Sequence, residues 1–166
     1  MECFMEDKNL QPNEFWPWAH ERLKHWLEAR RVLLVTFCEL SKVKDFHEKD
    51  PAQGKLLQIF CQQLVDYISE GHFEIFEQLI NEGHLFNDAE ALASGKKLLP
   101  AIYNLTDLLL DFNDKYLATD DLSSLTNDLS NLGENMAQRF EIEDNMVNIL
   151  HSAHYPQVLI SKKPIN

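Results

Sequence analysis

Helical periodicity carried through four long segments is the feature that most constrains this chain. Only five glycines and six prolines interrupt 166 residues, and they divide it into runs of roughly 25 to 33 residues. The first run begins near Asn13 to Trp16, tolerates Pro17 in its first turn and reaches about Ser41. A charged loop, Lys42 to Asp50, follows. Asp50-Pro51, an N-cap followed by a first-turn proline, opens a second helix that extends to about Asn81, before Gly83. A third starts at Asn87 or Asp88 and continues to about Leu117, with a kink expected at Pro100. Thr119 to Asp121 supply caps for a fourth that reaches about His154 and is stopped by Pro156. No strand-like alternation of convincing length occurs. The expected fold class is all-α: an up-down four-helix bundle of long helices with a kinked third helix, in one domain. Its core spans about residues 14–154, with the N-terminal dozen residues and the 156–166 tail weakly held.

The apolar stripes define the faces that meet in such a bundle. Leu23, Trp26, Leu27, Leu33, Leu34 and Phe37 mark the first helix, and Leu98, Ile102, Leu105, Leu109, Phe112 and Tyr116 the third. Leu125, Leu129, Leu132, Met136, Phe140, Val147 and Leu150 mark the fourth. The second helix has two working faces. Leu57, Phe60, Leu64, Ile68, Gly71 and Ile75 fall on one stripe at 3.6 spacing, with Gly71 permitting a close approach. Asp66, Ser69, Phe73, Glu77 and Ile80 fall on the opposite one, where large apolar groups sit among carboxylates. Such a patch meets either a neighbouring helix of the same chain or a partner.

The formal charge of −12, from 27 acidic against 15 basic residues, argues against direct nucleic-acid binding and suits a basic partner or simple solubility. Cys3, Cys38 and Cys61 are odd in number and lack metal or redox spacing, so reduced thiols are expected, with Cys38 and Cys61 buried in apolar helical stretches. The first residues carry acidic charges and no apolar run, and no stretch approaches the eighteen or so apolar residues of a membrane span. A cytoplasmic protein without membrane contact is expected.

Two charges break the stripes. Arg30 projects from the apolar face of the first helix, and Glu143 lies among the core positions of the fourth, with Arg139 one turn earlier. Buried alone, either charge would cost several kcal/mol. Two arrangements relieve this: an interhelical network of Arg30, Arg139 and Glu143, extending to Asp66 or His72, or a local Arg139–Glu143 pair with the arginines reaching solvent. Catalytic signals are weak. No Glu-x-x-His pair, phosphate loop, nucleophile elbow or zinc spacing is present, and His151-x-x-His154 at a fraying helix end reads as exposed. No catalytic residue, metal or cofactor is assigned, and a metal-binding helical enzyme is the alternative from another class.

The segments Leu64 to Leu79 (LVDYISEGHFEIFEQL), Arg139 to Asp144 (RFEIED) and His25 to Leu34 (HWLEARRVLL) resemble the Rsd/AlgQ family of bacterial anti-sigma factors, in order and spacing from about residue 20 to 154. The resemblance implies an all-helical protein that sequesters the primary sigma factor by binding its region 4, a basic helix-turn-helix module. It also implies that Asp66, Ser69 and Phe73 stand at sigma-contacting positions, with Phe73 as the anchor, Asp66 and Glu77 facing cations, and Trp26, Arg30 and Glu143 shaping the interior. Lys24-His25 depart from the Asp-Arg expected there. Some members are thought to bind the phosphocarrier HPr, which makes HPr a second candidate partner.

Overall fold

The computed structural model describes residues 10–47 and 49–161, and every element in it is helical. Helix α1 is Pro12–Ser41, α2 is Pro51–Glu70, a π-helical segment is Gly71–Ile75 and α3 is Phe76–Leu85. Helices α4, Ala89–Ala118, and α5, Leu125–Leu150, follow, then a 3-10 turn, Ser152–His154, and a short α6, Tyr155–Ser161. Because α2, the π segment and α3 form one continuous rod, the molecule is a four-helix bundle of long helices. Cys3, most of the N-terminal dozen and the last residues of the tail lie outside the described residues.

Local chemistry sets most of the boundaries. Asp50 accepts hydrogen bonds from the backbone N–H of Ala52 (3.0 Å) and Gln53 (3.3 Å), with Pro51 at the first position of α2. Asp88 accepts from Ala91 N–H at 2.9 Å to begin α4, just after Asn87 turns the chain at φ 53°, a left-handed conformation that asparagine tolerates. Thr119 and Asp121 do not cap the fourth long helix. They accept from the N–H of Asp121 and Ser123 and close two successive turns, and α5 begins only at Leu125. Helix α4 runs unbroken through Pro100, which lies on an exposed face.

The core is one apolar cluster drawn from all four rods, with Trp26, Phe60, Leu64, Ile102, Leu125 and Leu150 at its most enclosed positions. Two expectations about the first helix change. Leu27 and Leu34 stay more than a third exposed, and Cys38 is exposed while Cys61 is buried, because α1 buries only the narrower stripe through Leu23, Trp26, Leu33 and Leu40.

The chain beyond Leu150 differs more. Pro156 falls in the first turn of α6, where a missing N–H costs nothing, and α6 packs on α1 with Val158 1 % exposed. His151 and His154, expected on the surface, are 2 % and 1 % exposed. The His151 ring stacks on Trp16 at 4.3 Å and lies 2.6 Å from Glu82, and His154 lies 2.9 Å from Asp88. Polar partners from α1, α3 and the start of α4 make burial of both rings tolerable.

Candidate functional site

The π segment shapes the surface on which the acidic, aromatic face lies. Its N–H of Phe76 bonds to the carbonyl of Gly71, five residues back, so one residue more than an α-turn is accommodated there. Gly71 is needed at that point: a Cβ would come within 3.2 Å of the Trp26 ring, which is fully buried. Phe73 is carried outward on the same turn and is 74 % exposed.

The extra residue also shifts the register after the turn. The outward column continues through exposed Glu77 and Asn81, and Ile80, expected on the outer face, is instead half-buried against the core. Asp66 is exposed one to two turns before Phe73 and accepts a hydrogen bond from Gln62 at 2.9 Å. Ser69 is half-buried.

Phe73 and Ser69 belong to a groove of about 700 Å³ between α1 and the second rod. Trp18, Glu21, Arg22 and His25 form its α1 wall, and Glu70 and Glu74 complete the facing one. Two polar contacts cross it, the Arg22–Glu74 ion pair and a contact of His25 Nδ1 with Glu70 at 3.3 Å. Sequence reasoning missed the α1 wall because Trp18 and Glu21 belong to no apolar stripe of their own. A tryptophan off the apolar stripe, Trp18, one turn before acidic Glu21, was the available signal.

Behind the groove a buried polar network joins three rods. Arg30 donates to Glu143 (2.8 Å), Asp144 (2.7 Å) and the Tyr67 hydroxyl (3.0 Å), while Tyr67 and Arg139 both donate to Glu143. Arg139 and Glu143 are fully enclosed, so neither reaches solvent. Burial raises the Glu143 carboxyl, and Arg139 and Arg30 pull against it. Because both of its oxygens accept from guanidinium groups, the geometry fits the ionised carboxylate. Burial works against the charge on Arg30, but Tyr67 and Glu143 outweigh it and hold the guanidinium charged more firmly than in water. Trp26 roofs this network, donating to the Tyr67 carbonyl at 3.2 Å and stacking on the Tyr67 ring at 4.9 Å.

His72, next to Phe73 in sequence, extends the network to α4 through Thr106. Thr106 donates its hydroxyl proton to the Ile102 carbonyl, so it accepts from Arg139 (3.3 Å) and from His72 Nε2–H (2.9 Å). That assigns the His72 tautomer, and burial followed by the Arg139 charge lowers its pKa, favouring the neutral ring. Asp66 takes no part in the network. Among the described residues, no group of three or more His, Cys, Asp or Glu side chains is placed to hold a metal ion.

The family described as "Regulator of RNA polymerase sigma(70) subunit, Rsd/AlgQ" matches residues 5–151. This chain belongs to that family. The match starts well before residue 20, where the motif resemblance begins, so it takes in the whole α1 wall, Trp18 included. Among individual relatives, the protein named Regulator of sigma D from Yersinia pseudotuberculosis is 34 % identical over 134 residues, covering 78 % of this chain and 79 % of its own. Those of the same name from Yersinia enterocolitica and Pectobacterium carotovorum are 33 % and 34 % identical over 134 residues, covering 80 % and 87 % of their own lengths. The Rsd/AlgQ family is one of sigma-factor regulators, not a known enzyme family, and no helix among the described residues is long and apolar enough to cross a membrane.

Proposed function

We propose that this protein is an anti-sigma factor that captures region 4 of the primary sigma factor on the face built around Phe73, and so withholds that factor from core polymerase and from −35 promoter DNA. The single observation that carries this is an aromatic ring 74 % exposed in the midst of carboxylates, in a chain whose family regulates the sigma(70) subunit. A domain gains nothing in stability from leaving such a ring in water, whereas an interface gains a large, rigid anchor. Asp66 and Glu77, exposed on either side of it, are suited to the Lys and Arg of a promoter-reading module. The action is cytoplasmic, where the polymerase is. No feature of the groove favours HPr as its occupant.

Calorimetry against a region 4 fragment tests this. Phe73→Ala is expected to weaken binding by about 2 kcal/mol or more, roughly thirtyfold, while leaving helicity and melting temperature nearly unchanged. A variant that melts far earlier yet binds normally would refute the assignment of Phe73 as an anchor.

A further inference from the structure

The α1 wall adds a second exposed ring to the groove. Trp18 is 36 % exposed, whereas Trp16 and Trp26 are 8 % and 0 %, so the fold leaves this indole alone among the tryptophans at the mouth of a groove, on the wall facing Phe73. The Arg22 guanidinium lies 5.3 Å from the centroid of the Trp18 ring system and pairs with Glu74, and His25 pairs with Glu70. The carboxylates of one wall are thus held by basic side chains of the other. Both pairs are partly open to water, the Arg22 and Glu74 side chains at 33 % and 41 % and those of His25 and Glu70 at 79 % and 22 %, so exchanging Arg22 and His25 for a partner's cations costs little.

We propose that the space between Trp18 and Phe73 is a slot for one aliphatic side chain of a cationic amphipathic helix. Lys or Arg residues one turn to either side of that anchor then take over Glu70 and Glu74 from His25 and Arg22. A groove of about 700 Å³ admits the edge of a helix and a few side chains, not a folded module, and a formal charge of −12 selects a cationic edge. Once a helix covers the groove, the new pairs lie in a medium less polar than water and strengthen. The proposal rests on the groove being the docking site for sigma region 4 and adds which wall seats the anchor.

The test uses the full chain with a region 4 fragment in which any tryptophan has been replaced by phenylalanine. In the free protein Trp18 is the indole most open to acrylamide, and saturating fragment is expected to remove most of the quenching. Trp18→Ala is expected to weaken binding by at least about tenfold with an unchanged circular dichroism spectrum, and Trp18→Phe to restore most of it. Wild-type affinity in Trp18→Ala, or undiminished quenching in the complex, would overturn the slot and leave the Phe73 face standing. A fragment that does not bind at all would overturn both.

Discussion

Glu82 shows how far the fate of one residue depends on what the fold sets beside it. It is fully enclosed, with Oε1 2.6 Å from His151 Nδ1, and His151 Nε2 lies 3.0 Å from His20 Nδ1. Burial lifts the Glu82 carboxyl from 4.5 to about 9, and burial, then His20 and His154, lowers His151 from 6.5 to about 4. The pair therefore shares one proton near neutrality, held on the carboxyl. Between 4.5 and about 9 the unfolded chain has released the Glu82 proton and the folded one has not, so stability falls as pH rises. His151 acts oppositely. Its unfolded imidazole binds a proton below 6.5 and the folded one only near 4, so stability falls as pH drops through that window. The two oppose each other up to 6.5, and above it Glu82 acts alone. Glu82→Gln, whose amide donates to Nδ1 as the protonated carboxyl does, is expected to gain on the wild type from pH 6.5 to 8.5 by up to about 1.4 kcal/mol per pH unit. Thermal unfolding at the two pH values checks this, and an equal difference at both would remove the buried-proton account. His151-x-x-His154 was visible as a spacing, but its burial was not, since Glu82 and Asp88 lie 69 and 66 positions away.

At the scale of elements, the second rod is where local pattern and structure diverge. Its apolar stripe and the close approach at Gly71 follow from 3.6 spacing and a missing Cβ. The π turn does not, because its hydrogen-bond register answers to packing against Trp26, Phe76 and Tyr67 and not to the propensity of any one residue. Gly71→Ala tests that packing. Alanine would ordinarily favour a helix by about 1 kcal/mol. Here the Trp26 ring is fully buried, stacked on Tyr67 and hydrogen-bonded to its carbonyl, and cannot give way. Net destabilisation of about 1 kcal/mol or more is expected by denaturant unfolding, together with weaker partner binding, because the turn that carries Phe73 must shift. A stabilised variant would contradict the close-packing account. Helix α6 teaches the same lesson: Pro156 looked like a terminator because a proline that stops one helix also suits the first turn of the next.

Over the whole molecule, acidity acts at long range and the groove at short range. The charge of −12 is expected to speed association with a basic module, and raising salt from about 0.05 to 0.5 M to slow it, as the screening length falls from above 10 Å to below 8 Å. The apolar anchor should keep part of the affinity at high salt. Surface plasmon resonance separates the two contributions, since steering appears in the association rate and the anchor in the dissociation rate, and a salt-independent association rate would count against steering.

The sequence alone determined the helical class, the four long rods, most of their boundaries and the kinship with Rsd/AlgQ, because periodicity, caps and motif order are written in neighbouring residues. It also exposed Arg30 and Glu143 as charges out of place, although 113 positions separate them. Only tertiary structure decided between the two arrangements open to these charges, joining them through Tyr67 and Arg139 instead of releasing the arginines to solvent. It likewise turned Ile80 inward, buried His151 and His154 against partners from α1, α3 and the start of α4, and set Trp18 across from Phe73. The physical reason is common to all of these. Whether a polar group is satisfied, or an aromatic ring covered, depends on which distant segments come to lie against it, and no local pattern carries that relation.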